Sequence, residues 1–332
     1  MTPSLLHPAG HLSAVEALAL SQQAPAVLKS LPSSGKTSGA STLQSLLFAP
    51  VEKAEVWITY ENLLLSCLRT GDFESAQECV QRLTDRFGDD TDRVLALEGL
   101  IREAQATDDK GLQAVLKSYD DILATDDANV PIHKRRIALL RSMGKIPEAV
   151  TGLLALLDFS PTDAEAWSEL ADVYLEQGLY GQAVYALEEV LVLSPNAWNV
   201  HARLGEVEYM AAATSAGGSD AASQKYAAES LKRFCRSIEL CDDYLRGYYG
   251  LKVVTSYILK SGGKWPKQTN TGEDFAVPET ATVQRLAQLA TEKLSVIVRR
   301  YTAKEPHWSG YDEAEIVAAR ELLSEETSSV VR

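Results

Sequence analysis

Small and turn-forming residues recur every 34 residues through the middle of this chain. Three pairs of residues keep the same interval: Gly144 and Gly178, Ala149 and Ala183, and Pro161 and Pro195. Three columns in one register indicate an internal repeat, and a 34-residue period is typical of a unit made of two helices. Because a single helix pair leaves its apolar face in water, such units must stack into a continuous core.

The segment 164–197 matches the tetratricopeptide pattern at nearly every column. Its columns are Trp167, Leu170, Ala171, Tyr174, Gly178, Ala183, Leu187 and Pro195. Trp167, Leu170 and Tyr174 lie at i, i+3 and i+7, on one face of a first helix, and we expect these rings in the core. Ala171 and Ala183 are small where two helices must approach closely.

The turn residues of this unit indicate where its helices end. Gly178 suits the left-handed conformation that follows a helix, and Pro195 closes the second helix because it cannot continue the hydrogen-bond ladder. The sequence therefore predicts an all-α fold, a right-handed superhelical solenoid of tetratricopeptide-like helix-turn-helix repeats with capping helices.

The same register extends on both sides of this unit. Gly71 and Ala76 lie 73 residues before Gly144 and Ala149, which leaves room for one standard and one slightly expanded unit. The predicted solenoid spans 50–260, with units at about 57–88, 91–127, 130–163, 164–197 and 198–242.

Three further regions flank or interrupt the solenoid. We expect short helices and a flexible linker over 1–49, a mobile loop rich in glycine, proline and threonine over 261–279, and capping helices over 280–332. Within the last unit, the residues 212–224 read as an inserted, exposed turn.

Composition excludes several classes of function. The chain has 46 acidic and 32 basic residues and a formal charge of -14, which disfavours binding to nucleic acid or anionic lipid. No apolar run reaches the length of a bilayer span, and no secretory signal is indicated. The cysteines lack metal-binding spacing and read as reduced thiols of a cytosolic protein without cofactors: Cys67, Cys79, Cys235 and Cys241.

Two motifs resemble binding sites but lack the necessary frame. Gly35-Lys36-Thr37 looks like the end of a phosphate-binding loop, yet Ser30 stands where the first glycine belongs and no strand precedes it. His7 and His11 have the spacing of metal ligands, but Pro8 lies between them and prevents the helix that would align them. Since no nucleophile, base and orienting group are combined in a motif, we expect no catalytic activity.

A basic cluster at 133–136 stands out in this acidic chain, on a predicted first helix. Two interpretations are open: a solvated face paired with nearby acids, or an anchor for an acidic partner segment, for which Lys134, Arg135 and Arg141 are the candidate contacts. A clamp for a terminal carboxylate is not supported, because its positions hold Glu61, Leu65, Ser168, Asp172, Ala202 and Glu206.

Several strings together resemble a known family. They are KRRIA at 134–138, EAWSELADVY at 165–174, ALEEVL at 186–191 and RGYYGLKVV at 246–254. Over about 56–254 the chain resembles the family of subunit 2 of the ER membrane protein complex, as a divergent, fungal-like member.

This resemblance implies a non-catalytic scaffold on the cytosolic face of the endoplasmic reticulum. Its implied partners are cytosolic segments of membrane-embedded subunits and a small cytosolic subunit of a complex that inserts transmembrane segments. The alternative is a generic cytosolic tetratricopeptide adaptor, or a co-chaperone-like protein, with soluble partners.

Overall fold

The computed structural model describes residues 4–8, 12–30, 54–214, 221–261, 277–308 and 310–330, with side chains to 324. These residues form fifteen helices and no strand. The helices are α1 (Ala14–Ser21), α2 (Ala24–Ser30), α3 (Ala54–Thr70), α4 (Phe73–Phe87), α5 (Asp92–Gln105), α6 (Asp109–Thr125), α7 (Val130–Ser142), α8 (Ile146–Phe159), α9 (Ala164–Glu176), α10 (Tyr180–Leu193), α11 (Trp198–Thr214), α12 (Ala221–Leu240), α13 (Leu245–Ser261), α14 (Thr280–Thr302) and α15 (Glu313–Val330).

The helices are arranged in two compact units, unit 1 (Met1–Leu156) and unit 2 (Leu157–Arg332), and α8 runs across the boundary. In unit 1, α3 pairs with α4 and α5 with α6, the first helices α5 and α7 touch, and α1 packs on α3. In unit 2, the pairs are α9 with α10, α11 with α12 and α13 with α14. The prediction of an all-α array of tetratricopeptide-type helix pairs is confirmed.

Glycine ends the first helix in three helix pairs. After α9, Gly178 has a φ of +72°, its N–H donates to the Leu175 carbonyl at 2.9 Å, and the Leu179 N–H donates to the Tyr174 carbonyl at 2.9 Å. This pair of bonds is a Schellman motif, which satisfies carbonyls that the helix leaves open. The corresponding two bonds are present at Gly71 and at Gly144, whose φ values are +77° and +71°.

Small and apolar columns lie between the helices. Several side chains of the repeat are buried in their units: Ala76, Ala149, Ala183, Leu170, Ala171 and Leu187. Trp167 and Tyr174 are only half-buried, and the edge of the Trp167 ring meets Tyr185 at a centroid distance of 6.0 Å. The expectation that these rings lie in the core is therefore wrong in part.

A ring N–H at one column ties the first helix of three units to the turn before it. The bonds join a ring nitrogen to the carbonyl six residues earlier: Trp167 Nε1 to Pro161 O at 2.9 Å, His201 Nε2 to Pro195 O at 3.0 Å, and His133 Nε2 to Asp127 O at 2.8 Å. The three ring residues are 34 apart. A histidine replaces tryptophan in two units because an imidazole with its proton on Nε2 donates the same bond.

Replacing Trp167 with phenylalanine should isolate the contribution of this bond. The ring volume is largely kept while the donor is lost, so we expect a loss of about 1 kcal/mol in the free energy of unfolding. Urea denaturation of the wild type and of Trp167→Phe measures it. Trp167→His keeps a donor and serves as the comparison; equal stability of the wild type and the phenylalanine variant would contradict the role of the bond.

The inserted turn predicted over 212–224 is wrong at both ends. Helix α11 continues to Thr214 and α12 begins at Ala221, while 215–220 lie outside the described residues. Ala212 and Ser223 are fully buried, and the Ser223 hydroxyl and the Tyr257 hydroxyl donate to the Ala212 carbonyl at 2.8 and 3.0 Å. Because these bonds satisfy the end of α11, both helices of this pair extend into the stretch predicted as a turn.

The remaining expectations for the flanking regions fall partly outside the described residues. The stretch 31–53, which holds Gly35-Lys36-Thr37, and most of the predicted loop, 262–276, are not described, nor is His11. Helix α15 packs on α13 and α14 with Ile316 and Ala319 buried. Within the described ranges, no helix combines the length and the apolar character that a bilayer crossing requires.

Candidate functional site

A groove of about 470 Å³ opens in unit 2 between α11, α13 and α15; we call it the C-terminal groove. Its walls and floor include Arg203, Tyr209, Met210, Phe234, Tyr249 and Glu315. The α11 residues follow a helical period of three to four, so they occupy one face of that helix. Met210 is 37% exposed, which leaves an apolar side chain open to a partner.

The floor of the C-terminal groove is the ring of Phe234, which α12 inserts between two glycines. A Cβ added to Gly250 of α13 would overlap this ring, and one added to Gly205 of α11 would lie 3.2 Å from it. Phe234 is 3% exposed and belongs to the core of the unit. Glycine at these two positions therefore allows the three helices to close around one aromatic side chain.

The charges that line the C-terminal groove are paired within the chain. Arg203 donates to Asp172 at 2.9 Å and to Glu206 at 2.7 Å, and Arg246 pairs with Glu315 at 2.5 Å. Burial raises the pKa of the phenols of Tyr209 and Tyr244, so they are uncharged near neutral pH. The groove is thus aromatic and electrically balanced.

Arginine–acid pairs also link the first helices of unit 1. Arg93 of α5 donates through Nε and Nη2 to the two carboxylate oxygens of Glu61 on α3, each at 2.5 Å. Arg135 of α7 makes the same two-pronged contact with Glu103 of α5. In both pairs the acid precedes the arginine by 32 residues, which is close to the repeat length. A search of the sequence for acid–arginine pairs at this spacing could therefore have identified both pairs.

The structure places the predicted basic cluster on α7. Arg135 binds Glu103, and Arg136 Nε lies 2.6 Å from Asp120 Oδ1, which is the geometry of the acid-paired alternative. Lys134 and Arg141 are half-buried and two helical turns apart, hence on one face of the helix.

Glu103 is also the acceptor for a buried phenol. The Tyr119 hydroxyl donates to Glu103 Oε1, and Tyr119 is 1% exposed beneath Gly99, where an added Cβ would overlap the ring. Burial raises the pKa of Tyr119 above its usual range, with the Glu103 carboxylate adding to the effect. Arg135 therefore belongs to a three-residue network that joins α5, α6 and α7.

Three of the four cysteines have thiols whose pKa is raised by burial to about 11 or 12. Cys67 and Cys79 are buried in unit 1, and burial raises the pKa of each to about 12. Burial raises the pKa of Cys235 to about 11. A thiol with such a pKa holds its proton near neutral pH.

Sequence comparison relates the chain to known proteins. Residues 93–221 match the family model described as the EMC2 TPR-like repeat domain. TPR repeat protein oca3 of Schizosaccharomyces pombe is 32% identical over 75% of this chain and 85% of its own length. ER membrane protein complex subunit 2 of Xenopus tropicalis is 30% identical over 71% of this chain and 74% of its own length.

The chain belongs to the ER membrane protein complex subunit 2 family. The resemblance predicted from KRRIA and the neighbouring strings is confirmed. The subunit 2 family is a class of tetratricopeptide proteins and not of enzymes, which confirms the prediction of no catalytic role.

Solved structures of tetratricopeptide proteins have a similar fold. The C-terminal part of a TPR repeat-containing protein from Cytophaga hutchinsonii superimposes with a TM-score of 0.46 at 14% identity, over 92% of this chain and 98% of that chain.

The domain matched to the subunit 2 family, 93–221, includes the basic cluster and α11 but ends before Phe234, Arg246 and Glu315. More than half of the residues that line the C-terminal groove thus lie beyond it.

Proposed function

We propose that this chain is a non-catalytic scaffold subunit of the ER membrane protein complex, which holds cytosolic segments of membrane-embedded subunits while transmembrane segments are inserted. The observation that carries the proposal is its 30% identity, over 71% of the chain, to ER membrane protein complex subunit 2 of Xenopus tropicalis. The chain would lie on the cytosolic face of the endoplasmic reticulum, attached through its partners.

The test is affinity purification of the tagged full chain from detergent-solubilised endoplasmic reticulum membranes, followed by mass spectrometry. We expect multipass membrane proteins of one complex to co-purify in constant proportions. Recovery of soluble partners alone, with the chain in the supernatant after fractionation, would favour a generic cytosolic adaptor and reject the proposal.

The C-terminal groove is our proposed site for one partner segment. Its arginines are already paired with acids, so a charged segment gains little from them, whereas the aromatic floor and exposed Met210 favour apolar side chains. We assign to it an uncharged stretch of a partner subunit that inserts an apolar side chain above Phe234.

Replacing Tyr249 with alanine should weaken assembly at this groove. We expect at least a tenfold drop in the amount of partner recovered, because loss of an aromatic contact at the centre of an interface costs about 2 kcal/mol. The matched control is Tyr185→Ala, which removes a tyrosine that is 57% exposed elsewhere in unit 2. Equal recovery of the partner with both variants would show that the C-terminal groove is not part of the interface.

The basic cluster is a second proposed contact, through Lys134, Arg135 and Arg141. To leave the contact between Arg135 and Glu103 intact, the test reverses the other two charges, in Lys134→Glu with Arg141→Glu. Association with an acidic segment should slow by about tenfold at low salt and less at high salt, while the melting temperature stays within a few degrees of the wild type. An unchanged association rate would assign the cluster to a solvated face.

A further inference from the structure

Three buried polar atoms without a hydrogen-bond partner in the described part of the chain lie on two packed helices of unit 2. They are His201 Nδ1 and Glu208 Oε2 on α11, and Arg233 Nε on α12. His201 and Glu208 are seven residues apart and share one face of α11. Native interiors leave few such atoms unsatisfied, so their concentration at one helix contact needs a reason.

Arg233 lies between two carboxylates of different exposure. Its Nη2 donates to Glu188 of α10 at 2.7 Å, while its Nε is 3.8 Å from Glu208 Oε1, beyond hydrogen-bond range. The Glu188 side chain is 47% exposed and that of Glu208 is 3% exposed. The Arg233 guanidinium is therefore bonded to Glu188 at the surface. Glu208 in the interior is not bonded to it, but lies within about one ångström of hydrogen-bond distance.

We propose that unit 2 contains a two-position arginine switch: Arg233 binds Glu188 while Glu208 is protonated, and turns to Glu208 when that carboxyl releases its proton to solvent. Arg233 stays charged in both positions. Because α11 carries both Glu208 and one wall of the C-terminal groove, the switch links protonation to the helix that shapes the groove.

The electrostatic surroundings favour the protonated form near neutral pH. Burial is the main cause that raises the pKa of Glu208 to about 8; Glu229 and Glu188 add to the rise, and Arg233 and Lys232 oppose it. His201 on the same face stays neutral, because burial lowers its pKa and Arg233 and Arg236 repel a further positive charge. Protonated Glu208 leaves Arg233 free to bind Glu188.

The sign of the pH effect follows from the raised pKa. The pKa of Glu208 rises from 4.5 to about 8 on folding, so unfolding releases a proton between these values. The unfolding equilibrium constant of the wild type, divided by that of Glu208→Gln, should rise with pH by up to about tenfold per unit over this interval. The contribution of protonated Glu208 to the stability of the folded state is fully present below pH 4.5 and is lost as the pH approaches 8.

The movement of Arg233 is tested by the ¹⁵N chemical shift of its Nε in the full chain, followed by NMR from about pH 6 to about pH 9. We expect a transition near pH 8 in the wild type and none in Glu208→Gln.

A second experiment measures stability in the same pH range. Glu188→Gln should raise the unfolding equilibrium constant by about two- to fivefold at the acidic end and leave it unchanged at the basic end.

Glu239→Gln is the matched control, because it breaks the exposed Arg236–Glu239 pair on the same helix, 3.2 Å long. The effect of Glu239→Gln on the unfolding equilibrium constant should be the same whether residue 208 is Glu or Gln. The switch is overturned if the Arg233 signal is flat in the wild type, or if its transition persists in Glu208→Gln.

Discussion

Replacing Phe234 with alanine is expected to destabilise unit 2 by about 3 to 5 kcal/mol, the usual cost of removing a fully buried aromatic ring. The ring occupies the space that Gly205 and Gly250 leave open, so its loss creates a cavity with backbone walls that cannot easily collapse. Urea denaturation of the full chain, with far-UV circular dichroism as the signal, measures the change. A loss below about 1 kcal/mol would mean that the three helices are not held by this ring.

The glycine partner provides the converse experiment. Alanine in place of glycine inside an open helix normally stabilises by about 1 kcal/mol, and Gly181, with nothing near its missing Cβ, is the control. Gly250→Ala should instead cost about 2 to 3 kcal/mol because the new Cβ overlaps Phe234. Phe234→Leu should restore part of that loss, since the two changes share one space and are not additive.

Replacing Glu103 with alanine is expected to cost about 2 to 3 kcal/mol. The change removes the acceptor of the buried Tyr119 hydroxyl and the partner of Arg135, leaving both donors unsatisfied. The Arg135 and Glu103 side chains are 25% and 14% exposed, so water offers only limited compensation.

The control for this network lies on the same helix. Glu98→Ala removes an exposed i, i+4 pair with Arg102, 3.4 Å long, and should change stability by no more than about 0.5 kcal/mol. Thermal melts of the two variants separate a buried network from a surface pair. Equal melting temperatures would show that Glu103 is no more important than any exposed acid.

The sequence is informative where a residue acts on its own turn or on the neighbouring helix of the same pair. Gly178 is readable because a left-handed turn after a helix favours glycine, and Ala183 because a close helix contact admits only a small side chain. These rules are local, so the fold class and the helix pairs could be predicted.

The groove could not be predicted, because it depends on contacts between residues far apart in sequence. Phe234 meets Gly205 and Gly250 across three helices, and nothing in its own surroundings marks it as a floor residue. The bounds of the predicted insertion were wrong for a related reason: 212–214 and 221–224 are helical, and the Ala212 carbonyl accepts from donors on two other helices.

The ring N–H column has a consequence for finding such units elsewhere. Trp167, His133 and His201 differ in size and polarity, yet each delivers a proton to a carbonyl six positions upstream. A search profile that scores this column by bulk would accept phenylalanine and discard histidine. Scoring it by proton-donating capacity would recognise degenerate units that a consensus motif passes over.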